Sequence, residues 1–126
     1  MAKPPPALHE LESEVMDELW SRGAASVRDV LGALNSRTST DRAYTTVLTV
    51  MQRLHAKGLL RRTRDGRRDV YVPVLTREEY ARARVSAEVG AVVDEYGDVA
   101  LAHFARVMSE LDPKRRAQIQ RLARRG

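Results

Sequence analysis

Ala43-Tyr44-Thr45-Thr46-Val47-Leu48-Thr49-Val50-Met51-Gln52-Arg53-Leu54-His55-Ala56-Lys57-Gly58 is the stretch whose reading decides the fold. Val47, Val50, Met51 and Leu54 keep the i, i+3, i+4, i+7 spacing of a helix with one apolar side. The other side carries Thr45, Thr49, Gln52, Arg53 and Ala56. It is polar yet almost free of acids, and its hydroxyl, amide and guanidinium groups suit hydrogen bonds to base edges and phosphates. Lys57 and Gly58 close the helix, with a cation at the negative end followed by a residue that tolerates positive φ. Such a segment is either an ordinary solvated helix or a recognition helix, and its neighbours decide between the two.

Upstream, Leu8, Leu11, Val15, Met16, Leu19 and Trp20 mark one face of a helix from Leu8 to Arg22, with Glu10, Glu12, Glu14, Asp17 and Glu18 on the remainder and Gly23 as its stop. Ala24-Ala25 reads as a link or a minimal strand. Ser26 with Asp29 caps a second helix that buries Val27, Val30, Leu31 and Leu34. Asn35 to Asp41, rich in Ser, Thr and Asn, is the turn into the opening helix. Helix, turn and basic, hydroxyl-rich helix make a helix-turn-helix unit. Downstream, Leu59–Arg64 and Arg67–Pro73 flank Asp65-Gly66, a hairpin signal, with Leu60, Val70 and Val72 facing inward. A hairpin in this position, tipped with Arg64, Arg67 and Arg68, is a wing whose arginines reach phosphates or the minor groove. The competing reading is an edge hairpin protected by charge.

Beyond Thr76 the character changes. Thr76-Arg77-Glu78-Glu79 is a capping box for a helix to about Tyr96. Gly97 interrupts, a helix carrying Leu101, Phe104, Val107 and Met108 follows, and Asp112-Pro113 opens a last helix with Ile119 and Leu122. Three short helices with small-residue stripes form no large core alone and read as a dimerisation element. The basic end, Arg121 to Gly126, reads as frayed and is given no role. The expected fold is mainly α with a small β-hairpin wing, a winged helix-turn-helix followed by a helical dimerisation region. The corresponding divisions are a flexible arm over 1–7, a DNA-binding domain over 8–75 and the dimerisation region over 76–126.

Composition narrows the function classes. The net charge of the 126 residues is +5, but residues 37–68 hold nine basic side chains against two acids, a local +7 that leaves −2 for the rest. A concentrated basic block is the electrostatic mark of a polyanion partner. There is no cysteine, which removes disulfides and thiolate metal sites. No apolar run approaches the roughly 20 residues of a membrane span, and Met1 to Pro6 lacks the apolar segment of a signal peptide. The expectation is a cytoplasmic protein that is not inserted in a membrane. His9, His55 and His103 lie far apart, without metal-ligand spacing, and neither a phosphate loop nor a nucleophile elbow is present. No enzymatic activity, cofactor or metal is expected.

With Tyr44-Thr45-Thr46-Val47, the run Arg53-Leu54-x-x-Lys57-Gly58-Leu59 and the wing Gly66-Arg67-x-x-x-Tyr71-x-Pro73 together, the chain resembles the BlaI/MecI penicillinase-repressor family. The likeness is specific from about Leu8 to Pro73 and looser beyond. It implies a homodimeric winged-helix repressor on a palindromic operator of double-stranded DNA, with half-sites about one helical turn (~34–36 Å) or a multiple apart. It implies that Tyr44 to Arg53 enters the major groove, with Thr45, Thr46, Thr49 and Arg53 as contacts. Copper-responsive CopY-type members carry a C-terminal Cys-x-Cys motif, and the lack of cysteine removes that mechanism here. Penicillinase-repressor members are inactivated when a membrane sensor system triggers proteolysis in the C-terminal helices, at an Asn-Phe bond in the best-known cases. The matching bond here is His103-Phe104, which keeps the Phe and replaces the Asn. The other reading of Phe104 is a side chain of the dimer core. Two rival functions stay open: a winged-helix protein-interaction module for an acidic partner, and a DNA-binding regulator that responds to a small ligand.

Overall fold

The computed structural model describes residues 3–37, 39 and 41–125. Thr38 and Thr40 of the expected turn, the first two residues of the arm and Gly126 of the basic end lie outside them. The described elements run α1 (Glu10–Arg22), α2 (Val27–Arg37), α3 (Tyr44–Ala56), β1 (Leu60–Asp65), β2 (Arg68–Pro73), α4 (Arg77–Tyr96), α5 (Asp98–Glu110) and α6 (Pro113–Arg125). This is the expected winged helix-turn-helix followed by helices. By contact density the chain divides into two units, Met1–Val85 and Ser86–Gly126.

In the first unit α1, α2 and α3 meet through Val15, Met16, Leu19, Val30, Leu34, Val47, Val50, Met51 and Leu54, all buried. The four apolar residues of α3 are those its spacing predicted. Burying each such side chain contributes about 1.5–3 kcal/mol, so this seam holds the three helices together. Local signals end each helix. Gly23 takes φ 83° after α1 and its N–H donates to the Leu19 carbonyl; Gly58 takes φ 82° after α3. The Ser26–Asp29 capping box is formed reciprocally, Ser26 N–H to Asp29 Oδ2 at 3.1 Å and Asp29 N–H to Ser26 Oγ at 3.2 Å. Helix α2 extends to Arg37, two residues past Asn35, where the turn was expected to begin. The Asn35 amide then closes the loop, accepting from Arg42 N–H at 2.7 Å and donating to the Arg42 carbonyl at 3.1 Å.

The hairpin differs from expectation in register. Asp65 pairs with Arg68, so the two-residue loop is Gly66-Arg67 rather than Asp65-Gly66. Gly66 has φ 67° and no non-glycine residue has positive φ among those described, the pattern of a type II′ turn. The inward residue of β2 is Tyr71, 1% exposed, while Val70 and Val72 on the opposite face are only half-buried. The cause is a non-local bridge: Tyr71 N–H donates to the Ala25 carbonyl at 2.8 Å and Ala25 N–H to the Tyr71 carbonyl at 3.1 Å. Ala25 thus adds the minimal strand, and its two bonds fix which face of β2 turns inward.

Periodicity sets the acids of α1 off its apolar face, but it does not show which of them the fold covers. Glu12 and Glu18 are buried rather than solvated. Glu12 accepts from His9 N–H at 2.9 Å and from Lys57 Nζ at 2.7 Å, joining the start of α1 to the end of α3. Burial pushes its carboxyl pKa up, but Lys57 and the His9 amide outweigh that and hold it below the usual range. Glu18 pairs with Arg22 at 2.7 Å and Arg37 at 2.8 Å. Trp20 is half-buried against the core and donates Nε1–H to the Leu75 carbonyl at 2.9 Å. Of the Pro-rich start, Pro6 and Pro5 carbonyls accept from Tyr80 Oη at 2.6 Å and Arg84 at 3.0 Å.

In the second unit Gly97 (φ 58°) separates α4 from α5. Asp112 Oδ2 accepts from Arg115 N–H at 3.3 Å at the start of α6. Arg116 donates to the carbonyls of Met108, Ser109 and Leu111, each at 3.0 Å, and so closes the end of α5. Arg121 to Arg125, expected to fray, continue α6 as helix. Among the described residues of this unit only Ala100 is buried, while Val89, Val92, Tyr96, Val99, Leu101 and Val107 stand exposed.

Candidate nucleic-acid interface

Because Val47, Val50, Met51 and Leu54 point into the core, helical geometry turns Tyr44, Thr45, Thr46, Thr49, Gln52 and Arg53 outward, and all six are exposed. No acid lies on the helix. Thr45, Thr46, Thr49 and Arg53 therefore share one solvent-facing surface of donors and hydroxyls, while Tyr44 stands to one side of it, beside Arg28.

Two clefts flank this helix. One, about 430 Å³, runs beside Thr45, Thr46, Thr49 and Arg53 and is walled by His9, Leu11 and Glu12 of the α1 start. The other, about 350 Å³, lies between the starts of α2 and α3 and the wing turn, against Ser26, Arg28, Tyr44, Arg67, Arg68 and Tyr71. The wing arginines are not equivalent. Arg64 faces Asp69 across the ladder at 3.2 Å. Arg68 lies 3.8 Å from Asp29 and 4.0 Å from Asp65. Arg67 occupies the turn itself and makes no ion pair among the described residues. Asp29 is held below the ordinary carboxylate range, chiefly by the Ser26 amide, with Arg68 adding to it.

One cation at this surface was not singled out by sequence. Arg28, on the exposed side of α2, holds its guanidinium 5.2 Å from the centre of the Tyr44 ring. Its signal is weak in one dimension, since a lone arginine in the first turn of a helix is usually a solvated residue. The basic block is also thinner in space than along the chain. Arg37, Arg42 and Lys57 are taken by Glu18, Glu14 and Glu12 of α1.

Two of the histidines serve the fold. His9 precedes α1 as its N-cap, and His55 meets the Tyr71 ring edge-on at 6.5 Å. No group of three or more His, Cys, Asp or Glu side chains placed to hold a metal occurs among the described residues. No described helix is long and apolar enough to cross a membrane. His103 and Phe104 belong to the second unit, exposed in the middle of α5.

Residues 8–125 match the family model described as penicillinase repressor. Over 115 residues the chain is 43% identical to the transcriptional regulator BlaI of Mycobacterium tuberculosis, covering 87% of this chain and 81% of that protein. Among solved structures, the DNA-binding domain of the repressor BlaI superposes with a TM-score of 0.52 at 29% identity, over 64% of this chain and 94% of that one. The monomeric form of Bacillus licheniformis BlaI in complex with the blaP half-operator gives 0.51 at 28% identity, over 60% of this chain and 90% of that one. The chain belongs to the penicillinase repressor family.

Proposed function

We propose that this chain is a sequence-specific DNA-binding repressor acting as a homodimer on a palindromic operator. Residues 8–75 would form the DNA-binding domain and 76–126 the dimerisation region. The observation that carries the reading is the acid-free outer face of α3 beside an arginine-tipped hairpin. Thr45, Thr46, Thr49 and Arg53 contact bases and phosphates in the major groove, Tyr44 stands at the entry of the helix, and Arg64, Arg67 and Arg68 approach the adjacent minor groove. The half-operator complex of B. licheniformis BlaI supports docking of this kind. Repression is steric, by occupation of promoter DNA.

Exposed Val89, Val92, Val99, Leu101 and Val107 support dimerisation, because a patch of this kind on a small helical unit marks an interaction surface. Phe104, 36% exposed, belongs with them as a dimer contact. The His103-Phe104 bond lies in the interior of α5, so a regulatory protease, answering a membrane sensor, acts there only after that turn opens. A cut would remove the second half of α5 together with α6, weaken the dimer and cost the avidity of the second half-site.

Selection of genomic fragments with purified protein tests this reading directly. Recovered fragments should share an inverted repeat, and sedimentation should give a dimer at micromolar protein. Binding without preference between recovered fragments and random sequence would favour instead the module for an acidic protein partner.

A further inference from the structure

The cleft between the starts of α2 and α3 and the wing turn holds a cation for which no role has been assigned. When a helix lies in the major groove and its wing in the neighbouring minor groove, one sugar–phosphate strand must cross between them. Tyr44 is the first residue of α3 and Arg67 the turn of the wing, so this cleft of about 350 Å³ is that gap. Its walls are cationic. Arg28 stands on one side, Arg67 and Arg68 on the other. The acids nearby are engaged: Asp69 with Arg64 at 3.2 Å, and Asp29 with the Ser26 amide at 3.1 Å and Arg68 at 3.8 Å. The Asp29 amide at the start of α2 is already taken by Ser26 Oγ, so side chains rather than that amide face the gap.

We propose that Arg28, held 5.2 Å over the Tyr44 ring, grips the backbone phosphate of the strand that separates the two grooves, and that Tyr44 is a positioning residue for Arg28 rather than a base contact. This rests on the DNA docking proposed above. A ring face attracts a guanidinium and restrains its plane, leaving the N–H edges to meet phosphate oxygens. The contact carries no sequence information, because phosphate contacts set register and affinity while base edges set specificity.

The test uses the full-length protein, a duplex selected from genomic fragments and a duplex of unrelated sequence. Affinity scales as about the −0.9 power of salt for each phosphate neutralised, so loss of one contact costs about eightfold at 0.1 M salt. Arg28→Ala should weaken both duplexes by that factor, leave their ratio unchanged and reduce the salt slope by about 0.9. Tyr44→Ala should give the same loss, Tyr44→Phe should restore binding, and the double variant should be no worse than either single one. Replacing phosphates of the selected duplex one at a time with neutral methylphosphonate should reveal one position that matters to wild type and not to Arg28→Ala. Both side chains lie on the surface, and a circular dichroism melt checks that each variant is folded. The proposal is overturned if Arg28→Ala leaves affinity and slope unchanged, or if Tyr44→Ala alters the ratio of the two duplexes while Arg28→Ala does not. Wild-type protein that fails to discriminate the duplexes would overturn the docking itself, a different result.

Discussion

Lys57→Met isolates the ion pair that fastens α3, the proposed recognition helix, to α1. In the wild type, Lys57 Nζ lies 2.7 Å from Glu12 Oε2, and Glu12 is only 1% exposed. Methionine keeps the unbranched apolar stem and removes the charge, leaving the carboxylate with the His9 amide as its one other partner. Removing one partner of a fully buried pair costs about 3–5 kcal/mol. Here the Lys57 side chain keeps 28% of its surface exposed, so water restores part of the loss. About 2 kcal/mol is the expected destabilisation, close to one charged hydrogen bond. For a unit of this size that lowers Tm by about 10 °C. Urea unfolding followed by the fluorescence of Trp20, the single tryptophan, measures it. The pH dependence is the stricter check. In the wild type the folded carboxyl is held low, so its stabilisation is present above the unfolded value of about 4.3 and is lost as pH falls through the folded one. Without Lys57, burial is opposed by the His9 amide with no lysine beside it, so the folded value rises relative to wild type and less stabilisation is lost as the carboxyl protonates. The gap between variant and wild type should therefore shrink from pH 7 towards pH 4. A gap under about 0.5 kcal/mol at pH 7, within the range of ordinary surface substitutions, or one that does not change with pH, would refute the reasoning.

Arg53→Ala should lower the preference for the selected duplex over unrelated DNA by about tenfold or more, as expected for a lost base contact, in a competition gel-shift measurement. Arg67→Ala with Arg68→Ala should weaken all duplexes together, by about eightfold if only Arg67 meets a phosphate and about 60-fold if both do, with a matching fall in salt slope. Tyr71→Ala should cost about 3–5 kcal/mol in denaturant unfolding, because the ring is fully buried in the core cluster and its edge-on contact with His55 is lost.

The parts of this molecule that could be read along the chain are those whose causes are local. The four core residues of α3, the Ser26–Asp29 and Thr76–Glu79 capping boxes and the glycine stops all follow from spacings of four residues or fewer. What escaped was set by distant partners. In Val70-Tyr71-Val72 every side chain is apolar, so alternation cannot choose a face; the bridge to Ala25 chooses it. An acid on α1 looks solvated until Lys57, 45 residues on, arrives beside it. Arg28 looks like any surface arginine until α3 brings Tyr44 under its guanidinium. Arg116 similarly acquires a purpose only when α6 folds back to the last carbonyls of α5.

The charges show why this matters for function. Along the chain, residues 37–68 carry nine cations, and that concentration points to DNA. In the fold, Glu12, Glu14 and Glu18 of α1 bind Lys57, Arg42 and Arg37, while Asp69 binds Arg64 and Asp29 with Asp65 flank Arg68. Arg53, Arg61, Arg62 and Arg67 make no ion pair among the described residues, and Arg28 joins them from outside the block. Cations that fasten helices to one another have already exchanged water for a carboxylate and gain little by meeting a phosphate. Those left over, together with the exposed and loosely paired Arg64 and Arg68 of the wing, are the ones whose counterions DNA would release on the proposed docking. The acidic first helix therefore has two consequences from one set of contacts. It anchors α3 at both ends, through Arg42 before its first turn and Lys57 after its last, and it removes diffuse positive charge from around the helix. On the docking proposed above, less non-specific attraction would leave a larger share of binding to the acid-free face of α3, with Thr45, Thr46, Thr49 and Arg53 as the proposed base contacts.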